Sequence, residues 1–190
     1  MSACTRYTCT HDQLCQVALR WLGGTRRCDP VFSRIASCGE IPDAIGWSST
    51  WKWHGSTVVE CKSSRSDFYA DRKKHRGFRS AETQGWSGAI ARIGKRHALA
   101  AGYEEVSLPR MGDFRFYLSE PEVITADLVE KHAPEHGLLH FTKGRVFVVR
   151  DAPRRTDLLD KDSEIRYLRF SIINGKVPHK PLAPQKESQL

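Results

Sequence analysis

Apolar and polar positions alternate along this chain in two rhythms. Leu14, Val17, Ala18 and Trp21 recur at helical spacing behind a Thr10/Asp12 start signal, predicting a helix halted at Gly23-Gly24. A period of two then takes over. Val31, Ser33 and Ile35 alternate with Phe32, Arg34 and Ala36, and "DAIGWSS" and "STVVECK" follow as two more strands. The interval "TWKWHG" between them reads as a hairpin connection, with the turn expected at His54-Gly55. Ser64 or Ser66 can cap a second helix over "DFYADRKKHRGF". On it Asp67, Asp71 and Lys74 share one side, so its charges are expected to pair along the helix, the alternative being that Asp67 and Asp71 support Lys62 or nearby basic side chains.

Residues 81–110 mix glycines with a short helical pattern over Ala89–Ala101 and are expected to be an insertion or a mobile loop. Beyond them "DFRFYLS" sets Phe114, Phe116 and Leu118 against Arg115 and Tyr117. "TADLVEKH" is a short helix, "GLLHFTKGRVFVVRD" a hairpin turning at Lys143-Gly144, and "DKDSEIRYLRFSII" a terminal helix. There is no internal repeat. The order predicts an α/β fold with a mixed central sheet flanked by helices and a C-terminal hairpin. One domain over residues 1–170 and a polar, proline-bearing tail over 171–190 are expected.

Composition sharpens this outline. At 190 residues the chain is long enough to bury a real core. It has no apolar run of the ~20 residues a membrane span needs. "MSACTRYTCTHD" has no signal-peptide pattern, which predicts a cytoplasmic protein with reduced thiols. Six cysteines include no C-x-x-C pair, and Cys4, Cys9, His11 and Cys15 fit no common zinc spacing.

Net charge is +8, and its distribution is uneven: Lys62 to His97 holds ten basic residues against three acids. Such a field suits a polyanion. Ser63, Ser64 and Arg65 at a helix start, then Arg72, Lys73, Lys74, Arg76, Arg79, Lys95 and Arg96, are candidate phosphate contacts, and Arg115 is a further candidate facing a cleft. Helix capping by the serines and ordinary solvated charge are the competing explanations.

The remaining chemistry lies in "EIPDAIGW" and "VVECKSS". Asp43 opens one strand and Glu60 lies near the end of its hairpin partner, so both carboxylates can reach one point. Glu60 and Lys62, two apart on a strand, share a face. Charges at the end of an apolar strand are costly unless paired or metal-bound. Magnesium is satisfied by a pair of carboxylates with carbonyl, phosphate and water oxygens. A lysine beside such an ion can orient the water that attacks a phosphodiester. E-x-K alone is common, and a solvated strand edge is the alternative.

Pro42-Asp43 followed by Glu60-Cys61-Lys62 resembles the signature of the PD-(D/E)XK nuclease superfamily. With "VVECKSSRSDFYADRKK" and "MGDFRFYL", the likeness extends to its small bacterial and phage members, the MmcB-related DNA-repair proteins, over residues 11–150. The resemblance implies a restriction-endonuclease-like αβββαβ core and a magnesium or manganese ion, with DNA as the partner. It implies Asp43, Glu60 and the Cys61 backbone carbonyl as metal ligands, and Lys62 as the catalytic lysine. Relatives often carry a further acid on the first helix. Here that helix offers only Asp12, Gln13 and Gln16, and Glu40 is the substitute candidate.

The expectation is a metal-dependent DNA endonuclease with no organic cofactor and no membrane partner, and cutting two strands would suit a homodimer. The rivals are a non-catalytic DNA- or protein-binding module on the same fold, and a nuclease that acts on RNA or needs a partner.

Overall fold

A reciprocal cap starts the first helix, α1 (His11–Gly24): Thr10 Oγ1 accepts the Gln13 N–H at 3.3 Å and Gln13 Oε1 accepts the Thr10 N–H at 2.8 Å. The predicted stripe is buried, with Leu14, Val17, Ala18, Trp21 and Leu22 all facing the sheet. The valine and leucine side chains each contribute ~1.5–3 kcal/mol by leaving water. The helix runs through both glycines and is capped at Thr25. The computed structural model describes residues 9–34, 40–74, 76–80, 99–107, 110–156 and 159–173.

Six strands form one mixed sheet: β1 (Val31–Phe32), β2 (Ala44–Ser48), β3 (Gly55–Cys61), β6 (Phe114–Ser119), β7 (Gly137–Thr142) and β8 (Arg145–Arg150), in that spatial order. The pairs β3–β6 and β6–β7 are parallel; the other three are antiparallel. Helices α2 (Arg65–Lys74), α3 (Ala126–His132) and α4 (Lys161–Ile173) follow among the described residues, with β4 (Arg76–Ser80) and β5 (Tyr103–Ser107) forming a separate antiparallel ribbon. The fold is α/β, and α1-β1-β2-β3-α2-β6 follows in the predicted order once the ribbon is set aside.

The sheet is apolar on both faces. On one, α1 packs over Ala44, Val59, Cys61, Phe116 and Leu118. On the other, Tyr167 of α4 joins Phe32, Ile45, Val58 and Met111, while Phe68 of α2 and Val129 of α3 join Tyr117 and Leu138. Between these last two clusters the sheet carries charge. Gly137 lets β7 pass close to its neighbours, since a Cβ there would lie 2.7 Å from the Ala152 nitrogen and inside the Phe116 ring contact.

Several local expectations are corrected. The second helix stops at Lys74, and Arg76–Ser80 is strand, so the basic segment divides between a helix and a ribbon. Part of the expected insertion, Tyr103–Ser107, is the other half of that ribbon; residues 81–98 lie outside the described residues. The first strand is shorter than its alternation suggests: Arg34 takes a left-handed φ of 36°, which ends the extended run. The β2–β3 turn falls over residues 50–53, and Gly55 already belongs to β3 with φ 121°. The turn at Lys143-Gly144 stands as predicted, both residues having positive φ, the type I′ signature. Among the described residues no helix is long and apolar enough to cross a membrane.

Candidate metal and nucleic-acid site

Ala44 pairs with Val59 across β2–β3, so one further step of the same register sets Asp43 opposite Glu60. Asp43 closes that end of the hairpin, its Oδ2 accepting the Cys61 N–H at 2.9 Å. Lys62, past the end of β3, donates its N–H to the Leu118 carbonyl at 2.9 Å and thereby stays aligned with β6. The three predicted residues share one end of the sheet, and all are buried or nearly so.

The lysine is held from several sides. Its Nζ lies 3.1 Å from Asp71 Oδ1 and 3.8 Å from Glu60 Oε2, and 5.8 Å from the centre of the Tyr117 ring. Tyr117 donates its hydroxyl to the other Asp71 oxygen at 3.1 Å. Asp71 therefore reaches across from α2 to the sheet, the alternative in which it supports the lysine. Burial works against the Lys62 ammonium, yet Glu60 and Asp71 outweigh it and hold the group above its ordinary range.

Arg115 is fully buried one strand over, which removes it from the candidate DNA contacts. Its Nη2 lies 2.7 Å from Glu40 Oε1 and 3.3 Å from Glu60 Oε1, its Nη1 donates to the Met111 carbonyl at 2.8 Å, and its Nε to His136 Nε2 at 3.3 Å. Glu40 accepts the Met111 N–H at 2.9 Å through its second oxygen. Glu40 thus faces the arginine rather than serving as a ready metal ligand. His136 stacks on Tyr117 with ring centres 4.5 Å apart, and burial brings its imidazole down to about 4, so it is neutral near pH 7.

The charge count in this buried group is uneven. Among the described residues, Arg115 lies nearer Glu40 and Lys62 nearer Asp71 than either lies to Glu60, so Glu60 shares both of its cations with a closer carboxylate. Burial pushes Glu60 up to about 8, against the opposing pull of Arg115 and Lys62.

A second set of contacts was not visible in the sequence. His11 Nε2 lies 3.1 Å from Asp43 Oδ2, and Arg34 Nη2 lies 2.7 Å from His11 Nδ1. The same guanidinium reaches Asp12 at 3.0 Å and Asp43 Oδ1 at 3.6 Å. So the first helix presents a histidine where an acid was sought, and the only available signal was its place at the helix start.

The outer basic residues divide. Ser64 caps α2, its Oγ accepting the Asp67 N–H at 3.2 Å, as the capping explanation had it. Arg65 donates to the carbonyls of Val123 and Glu122 at 3.1 and 3.3 Å. Ser63 is exposed beside them. Arg72, Lys73 and Lys74 lie in the last turns of α2 and Arg76 and Arg79 on β4, while Lys95 and Arg96 lie outside the described residues.

The sequence matches no protein-family profile and no curated protein. In three dimensions it is similar to a solved structure of a protein of unknown function from Silicibacter pomeroyi. The TM-score is 0.51 at 22% identity, over 87% of this chain and 86% of that one, and what the two share is a fold.

Proposed function

We propose that this protein is a magnesium- or manganese-dependent nuclease acting on DNA, built on a restriction-endonuclease-like core. The observation that carries the proposal is Glu60: a buried carboxyl that shares both of its neighbouring cations with closer carboxylates, set directly across the hairpin from Asp43 by register. A divalent cation between the two strand ends would compensate Glu60 more fully than these shared, longer pairings do. The donor set fits a hard ion, since the Asp43 and Glu60 carboxylates and the Cys61 carbonyl all offer oxygen.

When bound, such an ion lowers the pKa of a coordinated water and offsets charge on the phosphoryl oxygens. The chain's own residues do the rest. Lys62 would orient the attacking water, with its ammonium held by Asp71, which Tyr117 in turn fixes. Arg115 anchors Glu60 from the opposite side, so the carboxylate cannot swing away. Basic residues at the end of α2 and on β4 would supply phosphate contacts.

The test is cleavage of plasmid, single-stranded and branched DNA, and of RNA, in magnesium or manganese, comparing the native chain with Asp43→Ala and Lys62→Ala. Losses of about 100-fold or more are expected in both variants. Equal cleavage by native and variant chains would refute the assignment. Metal-independent, salt-sensitive DNA binding without turnover would favour a binding module instead.

A further inference from the structure

His11 and Cys15 stand one helical turn apart on α1, on the same face, and that face meets the end of β2 at Asp43. One donor atom from each residue falls in a cluster no wider than 4.8 Å: an imidazole nitrogen, a thiol sulfur and a carboxylate oxygen. Cys15 Sγ lies 3.4 Å from His11 Nδ1. Two such ligands on one tetrahedral zinc, at ~2.05 and ~2.3 Å, would be separated by about 3.5 Å. The Arg34 guanidinium now leans on two of the three donors, 2.7 Å from His11 Nδ1 and 3.6 Å from Asp43 Oδ1. The site already draws a cation, and the one seated there is a half-exposed side chain that can swing out.

We propose that His11, Cys15 and Asp43 form a binding site for a thiophilic divalent ion of the zinc class, with a fourth position open to water. Nitrogen, sulfur and one carboxylate oxygen select zinc or cobalt and reject magnesium, which avoids thiolate and demands an oxygen shell. The site is distinct from the oxygen-lined one, yet both draw on Asp43. An ion held by His11 and Cys15 pulls that carboxylate toward α1, so occupation by zinc and by magnesium at Asp43 exclude one another. The exclusion rests on the nuclease reading; the zinc-class site does not.

Cobalt titration of the reduced full-length chain tests the site directly. One equivalent is expected to give tetrahedral visible bands and a thiolate-to-cobalt charge-transfer band, both bleached by one equivalent of zinc and displaced by magnesium only at large molar excess. Cys15→Ser should lose the charge-transfer band. His11→Gln, at the helix start and outside the core, should weaken binding by at least the roughly 10- to 100-fold that even an outer-shell partner is worth. Arg34→Ala should tighten it by roughly two- to fivefold, the strength of an exposed ion pair. Glu60→Gln should keep the full cobalt spectrum while losing cleavage. No charge-transfer band in the native chain, or the same band in Cys15→Ser, overturns the site. His11→Gln binding cobalt as tightly as the native chain, with its circular dichroism intact, also overturns it. A native chain that binds cobalt as described but cuts nothing would refute the nuclease reading and leave this site standing.

Discussion

Replacing Glu60 with glutamine isolates the electrostatics of the buried charge cluster. The side chain keeps its shape and loses its capacity to ionise. In the metal-free chain Glu60 is pushed up to about 8 from an ordinary 4.5. Between those values the folded chain holds a proton that the unfolded chain has released, so the group's contribution to stability falls as pH rises from 4.5 to 8 and is level above. At about 1.4 kcal/mol per pH unit the interval sets a ceiling of about 5 kcal/mol. His136 works the other way. Its imidazole is brought down to about 4 from 6.5, so its contribution grows as pH rises through that interval and is complete above it. Both chains carry His136, and the difference between them cancels it.

Glu60→Gln should therefore match the native chain within about 1 kcal/mol at pH 5 and exceed it by a few kcal/mol at pH 8. With m near 2 kcal/mol/M in urea, the midpoints should separate by about 1–2 M at pH 8. Urea titrations with chelator at pH 5, 6.5 and 8 measure this. Parallel curves, or a variant that falls behind as pH rises, would show Glu60 ionised in the folded chain and refute the charge count on which the metal site rests.

Other substitutions probe the same frame. Arg115→Met strands Glu40 and Glu60 in the interior and should cost about 3–5 kcal/mol in urea unfolding, with part recovered in the double variant carrying Glu60→Gln. Asp71→Asn leaves Lys62 without its nearest counter-charge, and plasmid cleavage should fall about 10- to 100-fold while duplex binding changes little. Gly137→Ala drives a methyl group into the Phe116 ring and the Ala152 nitrogen and should cost about 1–3 kcal/mol, read as a lower thermal midpoint.

Much of the frame is legible in local pattern. The stripe of α1, the alternation in β2, β3 and β6, and the Lys143-Gly144 turn each encode their element within a few residues. The meeting of Asp43 and Glu60 follows from hairpin register, which is also local. What escaped is long-range. Arg115 meets Glu60 across 55 positions and the Met111 N–H meets Glu40 across 71, and no spacing rule links such partners. Arg115 alternates with apolar neighbours as an exposed residue would, yet the sheet is covered on both faces and the alternation divides one core from another. For Asp71 the sequence left two readings open, because a helix offers plausible i, i+4 partners at every turn while Lys62 and Tyr117 approach it from the sheet side.

The last strand has a bearing on how the chain behaves in concentrated solution. Among the described residues β8 is the last strand of the sheet and no strand pairs with its outer edge, along which Phe147, Val148 and Val149 are 43–51% exposed. Bare apolar edges invite sheet-to-sheet accretion. Arg145 and Arg150 bracket this one, and Arg150 is anchored to Glu130 at 2.9 Å, so a positive charge stands at each end of the sticky run. An incoming identical strand, laid antiparallel, would set arginine against arginine. The hairpin carries its own repellent against copies of itself, while an acidic-ended strand from another protein would meet no such barrier.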